Sequence, residues 1–217
     1  MIKFDQNHFK FKHPCNVLVT GPTGSGKTQL IRKFISNKNL FFNLEKSKIR
    51  VLWAYGQWQP LLDVKLPDHI IIKYINYLPQ DKLLNQFKPD ILIIDDFMYE
   101  MQKMKEFETL FIKKGHHLNM SIFFLVQNPH YYAKIMRTIT LNCHYIIWMK
   151  NPRDKTQIHT IARQTGFKVL PLAFNDATIK PYGYIRLDNT PDTPEDLRIL
   201  TNIENFPIIY QEVYKDK

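Results

Sequence analysis

Residues Gly21 to Thr28 read GPTGSGKT and follow directly on the short apolar run Val17, Leu18, Val19. Glycine, four free positions, glycine, lysine and a hydroxyl residue make the eight-position pattern of a phosphate loop. Gly21, Gly24 and Gly26 let the backbone turn tightly, so that N–H groups converge on an anion at the start of the following helix. Pro22, Thr23 and Ser25 fill the remaining positions of the cradle. Lys27 is expected to place a point charge on the outer phosphates, and Thr28 a hydroxyl on a magnesium ion. The plain alternative is a glycine-rich turn opening an ordinary helix. It is disfavoured because the motif's required context is present: a strand before it, and Leu30, Ile31, Phe34 and Ile35 at helical spacing after it.

Taken in order, the chain alternates apolar strands with helical patterns. Residues 1–12 mix Lys3, Lys10 and Lys12 with Phe4, Phe9 and Phe11, and read as a basic arm or a short edge strand. Strands are expected over Cys15–Thr20, Arg50–Ala54, Ile70–Tyr74, Ile91–Ile94, Ser121–Val126, Cys143–Met149 and Tyr182–Leu187. Helices are expected over Lys27–Ser36, Lys82–Phe87, 100–113, Tyr131–Arg137 and Asp154–Gln164. In the 100–113 helix, Met104, Phe107 and Phe111 fall at core spacing. This alternation implies an α/β fold with a mostly parallel central sheet flanked by helices, whose ligands gather at the carboxyl ends of the strands. With 217 residues the chain has room for one good core. It is expected to be a single domain, 1–217, with an accessory segment at 165–217.

The run Ile91, Leu92, Ile93, Ile94 stops at Asp95 and Asp96. Asp95 is the candidate carboxylate on the magnesium side, and Asp96 the candidate base that polarises an attacking water. Gln127 ends the next buried strand, where its amide is placed to sense the γ-phosphate or orient water; Asn128 is a weaker version of the same idea. A charge supplied by a neighbouring subunit would neutralise the transition state. Among Arg137, Arg153 and Arg163, the favoured donor is Arg153 in NPRDK, although a role in DNA contact or in a loop cap with Asp154 fits the sequence equally well. Tyr55, Gln57, Trp58 and Gln59 combine stacking surfaces with amides after a strand, and are read as relays of nucleotide state or backbone contacts; a core-and-loop role for Trp53 and Trp58 fits equally well. His116 and His117 are not read as metal ligands, since no Cys/His cluster surrounds them.

Net charge is +10, from 30 Lys plus Arg against 20 Asp plus Glu, and it is uneven. Residues 1–50 hold ten basic and two acidic side chains, whereas residues 188–217 hold three basic and seven acidic. A basic body suits a polyanionic partner, with solubility as the bland alternative. Cys15 and Cys143 are widely separated and are expected to be buried free thiols. The longest apolar runs are of strand length, far short of the roughly 18 residues a membrane span needs. No secretory leader is read at the amino terminus, and an intracellular setting is expected.

Beyond single motifs, GPTGSGKT at 21–28, WAYGQWQP at 53–60, ILIIDDF at 91–97, KKGHHLNMSIFFLVQN at 113–128, LNCHYIIWMKNPRDK at 141–155 and PYGYIRLD at 181–188 stand in a fixed order. This set resembles the poxvirus A32-like DNA-packaging ATPases, and more closely the versions carried by adintoviruses and by Maverick or Polinton elements, within the FtsK and HerA class of motor ATPases. The likeness spans about residues 13–200. It implies a P-loop NTPase of the RecA/FtsK–HerA type that forms a homo-oligomeric ring, hydrolyses ATP with Mg2+, and moves double-stranded viral DNA into a capsid at the site of virion assembly. It also implies Lys27 and Thr28 as nucleotide ligands, Asp95 on the metal side, Asp96 as catalytic and Gln127 as sensor. Many relatives of the wider class carry Glu where this chain has Asp96.

Two other readings of the same loop are a small-molecule kinase and a nucleotide-dependent switch or scaffold with little turnover. A kinase needs an arginine-bearing lid, and no Arg-rich segment stands out between 127 and 165. An ABC transporter subunit is disfavoured by the lack of an LSGGQ-like segment.

Overall fold

The computed structural model describes residues 6–97, 111, 115–127, 133–154 and 156–212. Its strands are β1 (Phe11–Lys12), β2 (Asn16–Thr20), β3 (Phe41–Phe42), β4 (Ile49–Tyr55), β5 (Ile70–Ile75), β6 (Ile91–Asp95), β7 (Ser121–Val126), β8 (Tyr145–Met149), β9 (Tyr184–Asp188), β10 (Ile199–Thr201) and β11 (Ile208–Tyr210). The helices used below are α1 (Lys27–Ser36), α2 (Asp81–Phe87), α3 (Ala133–Leu141), α4 (Thr156–Thr165) and α5 (Leu170–Ala177).

One nine-stranded sheet runs β11-β10-β9-β8-β2-β7-β6-β4-β5. From β8 to β5 every pairing is parallel, and β9, β10 and β11 extend the sheet antiparallel beyond β8. The expected mostly parallel α/β architecture is therefore what the chain adopts. Its central strands β2, β6 and β7 are buried at every position because helices cover both faces. Edge strand β5 alternates half-buried with exposed residues up to Tyr74, as a strand with one wet face does, and ends on the buried Ile75.

Alternation along each strand sorts the apolar side chains into two cores. Val17, Val19, Trp53, Ile93, Phe123 and Leu125 lie on the face that α1 covers with Leu30, Ile31, Phe34 and Ile35. Leu18, Leu52, Ile94, Phe124 and Trp148 lie on the other, beneath Leu84 of α2, Met136 and Ile139 of α3, Ile158 of α4 and Phe174 of α5. Phe111, from the expected 100–113 helix, is buried in this second core; the rest of that helix, with Met104 and Phe107, lies outside the described residues.

Register positions the site. Thr20 pairs with Val126, Leu125 with Asp95, and Asp95 with Tyr55. The carboxyl ends of β2, β7, β6 and β4 therefore finish side by side, and Gly21, Gln127, Asp96 and Gly56 are the first residues beyond them.

Several boundaries differ from the sequence reading. Cys15 and Cys143 sit just before β2 and β8 rather than inside them; both are free and buried. Burial pushes the Cys15 thiol up to about 12, which leaves it protonated and inert. Helix α3 runs on to Leu141, and its expected start at Tyr131 falls outside the described residues. Residues 6–12 form a 3-10 turn (Gln6–Phe9) and then β1, which pairs with β3 in a small parallel sheet of its own. The segment from residue 165 onward contributes α5 and then β9, β10 and β11 to the main sheet.

Candidate functional site

A cleft of about 410 Å3 opens at the carboxyl ends of the parallel strands. Thr23, Gly24, Gly26, Lys27, Thr28, Asp95, Asp96 and Gln127 all line it, so residues chosen from three separate sequence segments meet in one place. Gly24 and Gly26 have φ of +77° and +93°, left-handed values that glycine alone adopts without strain. Gly21 is required for a different reason. A Cβ there would lie 2.6 Å from Met149 Cβ, so the loop passes directly over the end of β8. The loop closes on itself through Ser25 N–H to the Pro22 carbonyl at 3.1 Å, and α1 starts with Leu30 N–H donating to the Gly26 carbonyl at 2.9 Å. Ser25 Oγ is buried without a protein partner, beneath the loop and 2.9 Å from where a Cβ on Gly21 would lie.

Lys27 leads off α1 and folds back over the loop, where its Nζ donates to the carbonyls of Gly21 at 2.6 Å and Pro22 at 3.1 Å. Burial holds its ammonium below the ordinary lysine range, while Asp95 and Asp96 pull it back up. One residue on, Thr28 Oγ1 donates to Asp95 Oδ2 at 2.9 Å, tying the loop's hydroxyl to the carboxylate at the end of β6. Asp95 is only 3% exposed. Its burial pushes the carboxyl up to about 6, against downward pulls from Thr28 and Lys27 and a further upward push from Asp96.

Asp96 is half-buried and turns the chain out of β6 with φ of +59°, the left-handed region that Asp tolerates better than most residues. Its Oδ1 accepts from Gln127 Nε2 at 2.9 Å. The two strand ends β6 and β7 are thus linked by side chains as well as by backbone. Gly56 completes the turn: its N–H donates to the Asp95 carbonyl at 2.8 Å, and a Cβ at 56 would sit 2.1 Å from the Asp96 carbonyl oxygen. Only glycine allows this approach, which carries Gln57, Trp58, Gln59, Pro60 and Leu61 along the cleft wall. Trp58 packs edge-on against Tyr55 and Tyr74, with ring centroids 5.0 and 5.5 Å away.

Arg153 is not brought into this cleft. It is exposed on the loop between β8 and α4, where its own N–H and that of Asp154 donate to Asn151 Oδ1, and Asp154 in turn caps Thr156 N–H at 2.9 Å. Arg163 is exposed on α4, and Arg137 lines a separate apolar cavity under α3 and α4. Asn128 lies outside the described residues. Sequence reasoning missed Gln29 and Tyr182 among the lining residues. For Tyr182 the available signal was the glycine after it in PYGY, which marks a tight turn before β9.

No family model matches the chain, and no curated protein does. Solved structures do. A genome packaging NTPase, B204 from Sulfolobus turreted icosahedral virus 2, solved in complex with AMP, is similar over 93% of this chain and 98% of its own, with TM-score 0.52 at 15% identity. The same protein with AMPPCP gives TM-score 0.51 at 14% identity over 93% and 99%. A KaiC-like protein from Pyrococcus horikoshii OT3 gives TM-score 0.51 at 13% identity over 91% and 90%. Sheet order and these likenesses agree: the chain has the α/β fold that these proteins share, with its phosphate-loop sequence at the carboxyl end of the central parallel strand β2.

Proposed function

We propose that this protein is an ATP-hydrolysing motor that translocates double-stranded DNA into a capsid, working as a homo-oligomeric ring. The observation that carries the reading is the convergence of two side-chain pairs, Thr28 with Asp95 and Gln127 with Asp96, on a phosphate loop. The first pair joins a hydroxyl to a buried carboxylate beside an ammonium. That set suits Mg2+, which binds through one or two protein oxygens and the phosphates of its nucleotide. Bound there by Thr28 and Asp95, the ion would neutralise charge on the triphosphate. Among the described residues no three acids, histidines or cysteines gather into a site that holds a metal without such help.

The chain's own groups do the rest. Backbone N–H groups at Gly24, Gly26, Lys27 and Thr28 hold the phosphates, and Lys27 leaves its loop carbonyls to pair with the outer ones. Asp96 accepts the proton of the attacking water, and Gln127, bonded to the same carboxylate, orients Asp96 and the water together. A basic body and the resemblance to packaging ATPases support duplex DNA as the polyanion that is moved. B204, alike in fold, is a genome packaging NTPase solved with adenine nucleotides. The exposed position of Arg153, outside its own cleft, is the placement a residue acting on a neighbouring subunit needs.

Phosphate release measured with and without long duplex DNA tests this reading. The expected result is DNA-stimulated turnover, abolished in Lys27→Ala. Rings mixed from Lys27→Ala and Arg153→Ala chains should regain part of the activity at interfaces that pair an intact cleft with an intact Arg153. Turnover indifferent to DNA in every oligomeric state would overturn the motor, and transfer of label to a nucleoside in place of water would indicate a kinase.

A further inference from the structure

Tyr182 stands 62% exposed on the rim of the cleft. Its φ is +62°, a region that bulky side chains rarely enter and that persists only where the surroundings impose it. Here they do. Gly183 N–H donates to the Lys180 carbonyl at 3.2 Å, the Gly183 carbonyl accepts from Lys150 N–H at 2.8 Å, and Lys150 Nζ donates to the Ile179 carbonyl at 2.7 Å. Position 183 has no room for a side chain, since a Cβ would lie 2.3 Å from the Ala177 carbonyl. The turn is clamped between the ends of β8 and α5, and the group it presents to solvent is an aromatic ring.

That ring lies against the phosphate loop. A Cβ on Gly26 would come within 2.9 Å of Tyr182 Cδ1 and 3.5 Å of its Cγ, so the tyrosine flanks the start of α1. The wall at residues 57–61 is tied through Gly56 to the turn at Asp96. The two carboxylates and Gln127 follow β6 and β7 on one side of β2, where the outer phosphate reacts, whereas the turn that carries Tyr182 is bonded to the end of β8 on the other side of β2. A nucleoside triphosphate laid along residues 21–28 with its γ-phosphate at Asp96 therefore sends its base toward Tyr182.

We infer that Tyr182 is the stacking platform for the nucleotide base, and that the strained turn at 179–183 exists to hold its face against the loop. The inference rests on the phosphate-loop reading given above and adds the residue that distinguishes a nucleotide from a bare polyphosphate. Every nucleobase offers a π-face, and one base–aromatic contact is worth roughly ten-fold in affinity.

Calorimetric titration of ATP and of inorganic tripolyphosphate, each with Mg2+, separates the outcomes. Tyr182→Asn is the informative variant, because Asn accepts positive φ and lacks the ring. It should melt no lower than the wild type, bind ATP about ten-fold more weakly, and bind tripolyphosphate within about two-fold of the wild type; Tyr182→Phe should bind both like the wild type. Equal weakening of ATP and tripolyphosphate in Tyr182→Asn would overturn the inference, as would an unchanged affinity for ATP. A base-specific loss in Trp58→Ala with none in Tyr182→Asn would move the platform to the opposite wall. If neither ligand bound the wild type, the phosphate-loop reading itself would fall.

Discussion

Asp95 shows how the site spends stability on chemistry. Its carboxyl is buried at the end of β6 and its pKa is raised to about 6, so the ligand-free folded chain takes up a proton more readily than the unfolded one. The sign follows from linkage. Above about pH 6 both folded and unfolded chains carry the ionised group and the folded state bears the full cost; as pH falls toward 4 the folded state takes up the proton first and gains stability. Asp95→Asn should therefore stabilise the ligand-free protein at pH 8 by up to about 3 kcal/mol, with most of the gain gone by pH 4.5, while abolishing magnesium-dependent turnover. Urea melts of the two proteins at both pH values check this. An equal gap at the two pH values, or a less stable variant at pH 8, would show that the carboxylate is not held at a cost. Gly56 is a second residue fixed by the site, because the Asp96 carbonyl occupies the space a side chain would take.

At the scale of elements, the segment before β2 is part of the core. Phe11 of β1 is fully buried and packs its ring against Phe34 of α1, Phe41 of β3, Phe123 of β7 and Tyr145 of β8, with centroids 5.0 to 5.8 Å apart. The fully buried Arg186 of β9 fastens the same segment. It donates to the carbonyls of His8 at 3.0 Å and Phe9 at 3.1 Å, stacks over Phe11 and Tyr145, and pairs with Asp188 at 3.7 Å. Truncating a buried aromatic costs about 3–5 kcal/mol, so Phe11→Ala should lower unfolding free energy by that amount in a denaturant titration. A loss under about 1 kcal/mol would mean that the segment is an arm laid on the surface.

Much of this arrangement was legible in the sequence, and physics separates the legible parts from the others. Strands β2, β6 and β7 announce themselves because a strand covered on both faces must be apolar at every position and must stop at turn or polar residues. Helix α1 shows a clean apolar stripe after its glycine loop. By contrast, α5 begins at Leu170–Pro171, where a first-turn proline reads as a break although it costs no hydrogen bond there. Strands β10 and β11 are three residues each, too short for alternation to register. The cleft residues from the phosphate loop and the strand ends were readable because local pattern fixes them; for Tyr182 the glycine after it marks only a turn, and the folding of β8, α5 and β9 against one another is what brings it to Gly26.

At the scale of the whole molecule, the proposed motor couples one cleft to movement along a polyanion. The chain carries ten basic and two acidic residues in its first 50 and the reverse bias over residues 188–217, so its field is polarised along the sequence as well as positive in sum. Among the described residues no helix is long and apolar enough to cross a membrane. If triphosphate hydrolysis in the cleft drives the chain along duplex DNA, as proposed, displacement of a fluorescent third strand from a long duplex reads that movement directly. Displacement is expected with ATP and Mg2+, none with a non-hydrolysable ATP analogue, and none with Lys27→Ala. A wild-type ring that hydrolyses ATP on the duplex yet leaves the third strand in place at every duplex length would contradict the proposed motor.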